Sequence, residues 1–96
     1  MPINLTVVLK SKEELTATLK EMLLTLVAQS TQETACLQYD LHQSVDDSDT
    51  FIFHEVWENE AGLQLHNEQP YLIEFFEKVK PMLQVQPTIY FTNKLS

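Results

Sequence analysis

The apolar residues of this chain switch between two spacings, every second residue and about every 3.6 residues, and the order of the switches constrains the fold more than any motif does. Ile3, Leu5, Val7 and Leu9 alternate with Asn4, Thr6 and Val8, which reads as a first strand over residues 3–9. The stretch "SKEE" follows, with Glu14 three residues after Ser11 at the capping-box spacing. Leu15, Leu19, Met22, Leu23 and Leu26 then recur at helical intervals, so a helix is expected over residues 12–29 with Ser11 as its N-cap. After the polar connector "STQET", residues 36–44 form a strand with Leu37, Tyr39 and Leu41 on one face. "VDDSDT" turns the chain, and residues 51–57 set Phe51, Phe53, Glu55 and Trp57 against Ile52, His54 and Val56 on the other side. Asn59 caps a short helix that runs to about His66, and Pro70 opens another that presents Leu72, Phe75, Phe76 and Val79 until Pro81 ends it. A last strand over residues 84–92 alternates Val85, Pro87, Ile89 and Phe91 with Gln86, Thr88 and Tyr90, the proline marking a strand end or an edge.

Strand, helix, strand, strand, helix, strand is the order of the split βαβ or ferredoxin-like plan, an α+β fold with one antiparallel sheet and helices on one face. A chain of 96 residues fits one such domain, residues 1–96. The strands carry apolar residues at both parities: Val8, Ile52, Val56 and Tyr90 stand opposite Val7, Phe53, Trp57 and Ile89. With helices over one face only, the other face is expected to meet a second subunit, giving a homodimer.

Composition removes several classes of function. The net charge of −8, with only six Lys and Arg scattered along the chain, provides no basic patch to neutralise phosphates, so nucleic acid is not an expected partner. Gly62 is the single glycine, too few for the Gly-rich loops that let a backbone approach a dinucleotide or nucleoside triphosphate. No apolar run approaches the roughly 20 residues of a membrane helix, and "MPINLTVVLK" lacks the pattern of a secretion signal, so the expected location is the cytoplasm. Cys36 is the only cysteine, which excludes an internal disulfide; within "ACLQYDL" it reads as a buried strand residue.

The segment "HEVWENEAGLQLH", residues 54–66, begins like the His-Glu-x-x-His helix of zinc proteases. Position 58 is Glu, however, and strand alternation sends His54 and Glu55 to opposite faces, so no metal is expected there. His66 is the more informative histidine, because it closes a short helix directly after the strand that ends on Trp57.

The stretch "CLQYDLHQSVDDSDTFIFHEVWENEAGLQLHNEQPYLIEFF" resembles the antibiotic biosynthesis monooxygenase (ABM) superfamily of small dimeric ferredoxin-like proteins. The features that carry the resemblance are a strand bearing Tyr39, a short acidic turn, a strand ending in Glu55 and Trp57, a short helix containing Ala61, and His66 before the next helix. Proteins of this kind include cofactor-independent oxygenases of quinols and polyketide aromatics, haem-degrading oxygenases and the processor of the phosphorylated autoinducer-2 signal. The iron-ligating His of the haem-degrading branch would fall at Phe76 and its haem-ruffling Trp at His66, so the resemblance does not extend to haem chemistry. The Asn of the polyketide branch, four residues before the Trp, is Phe53 here, and the family's common Gly before the second strand is Ala35.

What the resemblance implies is a cofactor-independent monooxygenase of a small electron-rich aromatic such as a quinol. His66 would be the base, Trp57, Phe53 and Tyr39 the aromatic lining, and Glu55 either an orienting group for His66 or a structural carboxylate. Isomerase-type processing of a small phosphorylated carbonyl compound, or a binding dimer without catalysis, are the alternatives; the first calls for cations near the cavity, and the chain has few.

Overall fold

The computed structural model describes residues 1–96. It contains β1 (Ile3–Lys10), α1 (Thr16–Ser30), β2 (Cys36–Gln43), β3 (Thr50–Trp57), α2 (Glu60–Asn67), α3 (Pro70–Val79) and β4 (Thr88–Thr92). Neighbouring strands are antiparallel in the order β2-β3-β1-β4, which is the expected α+β ferredoxin-like sheet. No helix is long and apolar enough to cross a membrane.

Register decides which side chains meet the helices. Leu5 lies opposite Glu55, Val7 opposite Phe53 and Leu9 opposite Phe51, while Tyr39 of β2 lies opposite Glu55. Directly opposed residues share a face, so these positions form the sheet's half of the core. The helices supply the other half at helical spacing: Leu19, Leu23, Leu26 and Ser30 from α1, and Leu72, Phe75 and Val79 from α3. His54 stands on the opposite face, where its ring nitrogen lies 3.3 Å from the Thr6 hydroxyl and its ring centre 5.3 Å from that of His42.

Several local expectations fail. Ser11 is not an N-cap: it is fully buried, its hydroxyl donates to the Lys12 carbonyl, and its backbone bridges to Leu83. The helix instead starts through a 3-10 turn at Glu13–Leu15. Leu37 is 57% exposed because the pairing of β2 with β3 slips between Cys36 and Gln38, and the extra residue at this bulge points outward. Residues 84–87 do not join the last strand, since Pro87 has no N–H for the ladder and Gln84 is held back by bonds to Lys10 and Ser11. Phe76 lies at the margin of the buried face of α3 and stays 38% exposed. Ile89 and Phe91 share the parity of Val7 and Leu5, yet they remain exposed at the sheet edge.

Gly62 fixes how closely α2 approaches the sheet. A Cβ at this position would stand well inside contact distance of the Cβ of Ala35, and neither atom can rotate away. The chain on both sides is pinned, by the Glu58 N–H to the Ala35 carbonyl at 2.9 Å and the Gly62 N–H to the Asn59 side chain at 2.8 Å. Gly62→Ala is therefore expected to destabilise the protein by about 1–3 kcal/mol despite alanine's better helix propensity. Adding Ala35→Gly should recover much of that loss, because the second change removes the clashing atom. Urea unfolding of the two single variants and the double variant checks the pair; strict additivity would contradict the contact.

Candidate active site

The site begins where β3 ends. Trp57 is fully buried, and the chain turns at Asn59 into α2, whose inward face carries Gly62, Leu63 and His66. That turn lays the imidazole of His66 against the indole of Trp57, with ring centres 4.3 Å apart and planes at 31°. Tyr39 meets both rings edge-on, 5.9 Å from His66 and 6.3 Å from Trp57, and its ring centre is 5.0 Å from that of Phe53. The four aromatic side chains proposed from the sequence are thus one contiguous buried group.

Glu55 is also brought to this group, but not to His66. Its Oε1 accepts the indole N–H of Trp57 at 2.9 Å, so it orients the wall rather than the imidazole. The partner of His66 is Glu33, from the connector between α1 and β2, whose Oε2 lies 2.6 Å from Nδ1. The same carboxylate oxygen accepts a hydrogen bond from the hydroxyl of Tyr71 on α3, and that hydroxyl lies 3.3 Å from the Ser30 hydroxyl. Glu33, Tyr71 and Ser30 were not singled out from the sequence. Ser30 had a usable signal, four residues after Leu26 on the buried stripe of α1; Glu33 sits in a polar connector and had none.

The second ring nitrogen of His66, Nε2, has no hydrogen-bond partner within the chain. Every side-chain nitrogen or oxygen that is sealed from solvent does have a partner. Nε2 therefore keeps a small contact with solvent, although His66 as a whole is only 3% exposed. None of the five principal surface hollows is lined by His66, Glu55, Trp57, Phe53 or Tyr39. One of about 230 Å³ lies between α1 and α3 and has Tyr71 in its wall beside Met22 and Phe75. No group of three or more His, Cys, Asp and Glu side chains is placed to hold a metal ion.

Burial dominates the electrostatics. It pushes the Glu55 carboxyl up to about 7, with the Trp57 N–H opposing the rise and the charge of Glu33 adding to it. Burial likewise raises the Tyr39 hydroxyl, with Glu55 adding to the effect, and the Tyr71 hydroxyl, whose bond to Glu33 favours the neutral form. The Cys36 thiol is raised by burial and then by Glu33 and Glu55, which is the behaviour of an inert strand cysteine rather than a nucleophile.

Because the folded chain holds the Glu55 proton more tightly than the unfolded chain does, this group's contribution to stability is fully present below the ordinary value of 4.5. It is lost as pH rises to about 7 and flat above that. The size of the loss is on the order of 3 kcal/mol at 1.36 kcal/mol per unit. Unfolding free energies of the protein and of Glu55→Gln, compared at pH 4.5 and 8, should therefore diverge by that order in favour of the glutamine variant at the higher pH. A constant difference would show that the carboxyl is not held neutral by burial.

Comparison with known proteins adds the family. PA3566 from Pseudomonas aeruginosa superposes with a TM-score of 0.92 over 99% of this chain and 95% of that one, at 32% identity. Rv0793 from Mycobacterium tuberculosis superposes with a TM-score of 0.93 over 100% of this chain and 97% of that one; at 18% identity the likeness is one of fold. YcnE of Bacillus subtilis, a candidate monooxygenase, is 38% identical over 58 residues, 60% of this chain and 61% of YcnE. The uncharacterised protein sll1783 of Synechocystis is 36% identical over 59 residues, 62% of this chain but 40% of that protein. The aligned stretch thus spans less than two thirds of either curated relative. The family model described as antibiotic biosynthesis monooxygenase matches residues 2–78, and the chain belongs to that family.

Proposed function

We propose that the protein is a cofactor-independent monooxygenase of a small, electron-rich aromatic such as a quinol, working in the cytoplasm as a homodimer. The observation that carries the reading is the imidazole of His66, buried against Trp57 and Tyr39 with Nε2 unpartnered and not sealed from solvent. In such chemistry the substrate is the reductant. Nε2 takes a phenolic proton, and the phenolate passes electrons to dioxygen more readily than the neutral phenol would. One oxygen atom then forms a new C–O bond on the ring. The other leaves as water with two hydrogens of the quinol, so that a quinol and O₂ give a hydroxyquinone and H₂O. The protein's part is to supply the base and a dry aromatic wall, which Trp57, Phe53 and Tyr39 provide. The phosphorylated-carbonyl reading gains no support from the charges around the α1–α3 hollow, where the ammonium of Lys78 is already 2.7 Å from Glu74.

The dimer is supported by the helix-free sheet face, where Val8 pairs with Ile52 beside half-buried Val56. Light scattering should give about twice the chain mass of 11.1 kDa. A monomer at all concentrations would contradict this part.

Oxygen uptake by chelator-treated protein across a panel of quinols tests the activity. His66→Ala should lower turnover by about 10²- to 10⁴-fold, the usual effect of losing a positioned base. His54→Ala, on the other sheet face, should alter dimer stability and leave the rate near that of the parent. Equal turnover by the parent and His66→Ala would remove His66 from the reaction, and no uptake with any quinol would favour a binding dimer.

A further inference from the structure

The two nitrogens of His66 are in different situations. Nδ1 is 2.6 Å from the Oε2 of Glu33, and that oxygen also receives the hydroxyl proton of Tyr71. An ionised carboxylate can only accept, so with Glu33 ionised the hydrogen between it and His66 belongs to Nδ1. In the neutral ring this leaves the lone pair on Nε2, the nitrogen without a partner. The reverse arrangement, a proton on Nε2 and a lone pair on Nδ1, would set the lone pair against the carboxylate and leave no base on the open side.

We infer that Glu33 is the positioning residue for His66: its carboxylate, fixed by Tyr71, holds the imidazole in the Nδ1–H tautomer and keeps the Nε2 lone pair available. The three side chains come from separate pieces of chain, the α1–β2 connector, α2 and α3, so the arrangement is built by the tertiary fold. Glu33 has a side chain only 15% exposed and His66 one only 4% exposed, which keeps water from replacing either partner. Glu55 cannot take this part, since its hydrogen bond goes to Trp57. The inference rests on the reading of His66 as a base, but its physical content is a tautomer, which is measurable without turnover.

The test is a long-range ¹H–¹⁵N correlation spectrum of the protein, at a pH where the His66 ring is neutral, recorded for the unmodified chain and for Glu33→Gln. The unmodified protein should show the proton on Nδ1. In Glu33→Gln the amide can donate to Nδ1, so the proton should move to Nε2, and turnover of any quinol the parent oxidises should fall about 10²- to 10⁴-fold. Tyr71→Phe, which leaves Glu33 and its bond to Nδ1 in place, should keep the Nδ1–H form. An Nε2–H ring in the unmodified protein overturns the inference, and that spectrum requires no variant to fold. So does a Glu33→Gln protein that keeps both the Nδ1–H form and the parental turnover. If the tautomer moves as described while no quinol is oxidised by the parent, the positioning stands and the proposed reaction falls.

Discussion

A single half-buried carboxylate, that of Glu33, joins the parts of the fold that surround the site. It receives the imidazole of α2 and the phenol of α3, and through that phenol it meets Ser30 at the end of α1. A carboxylate only 15% exposed gains from every hydrogen bond it keeps, and Oε2 is bonded to both His66 and Tyr71. The dependence is mutual. A helix of eight residues has little stability alone, so α2 is placed by its Asn59 cap, by the Gly62 contact with Ala35 and by the bond from His66 to Glu33.

The second carboxylate behaves differently because its surroundings differ. Glu55 is as buried as His66 but receives only the indole N–H of Trp57, so desolvation prevails and its proton is retained to about pH 7. Two acids beside one aromatic group thus stand in different settings, Glu33 bonded to two partners and Glu55 holding its proton to about pH 7. Between them stands His66, with one nitrogen committed and one open. A phenol bound at Nε2 would lose its proton into a region of low polarity, where an unshielded phenolate is a stronger electron donor to oxygen than the same anion in water.

How much of this was legible depended on whether the deciding contact was local. The sheet, the helices on one side and the face assignments of Phe53, Glu55, Trp57 and His54 follow from period-two alternation, which the register preserves. Asn59 and Pro70 act at helix starts as their chemistry requires. Ser11 misled because its spacing to Glu14 imitates a cap while its backbone is engaged by β-bridging to Leu83, a residue far along the chain. Leu37 misled because a bulge shifts parity without leaving a mark in composition. Within the site, Tyr39, Phe53, Trp57 and His66 were legible as one group because strand parity and helix spacing both aim them inward. Glu33 and Tyr71 were not, because their meeting with His66 spans 33 and 5 residues and depends on how three elements pack, which no spacing rule encodes.

The central claim, that Nε2 of His66 removes a proton from a bound phenol, is tested most directly by the absorption spectrum of a nitrophenol too electron-poor to be oxidised. Mixed with the protein about one unit below the phenol's own pKa, it should bind as the coloured phenolate, and His66→Ala should bind it in the colourless neutral form. The same ionisation state in both proteins, or a bound phenol that stays neutral in the parent, would contradict the claim.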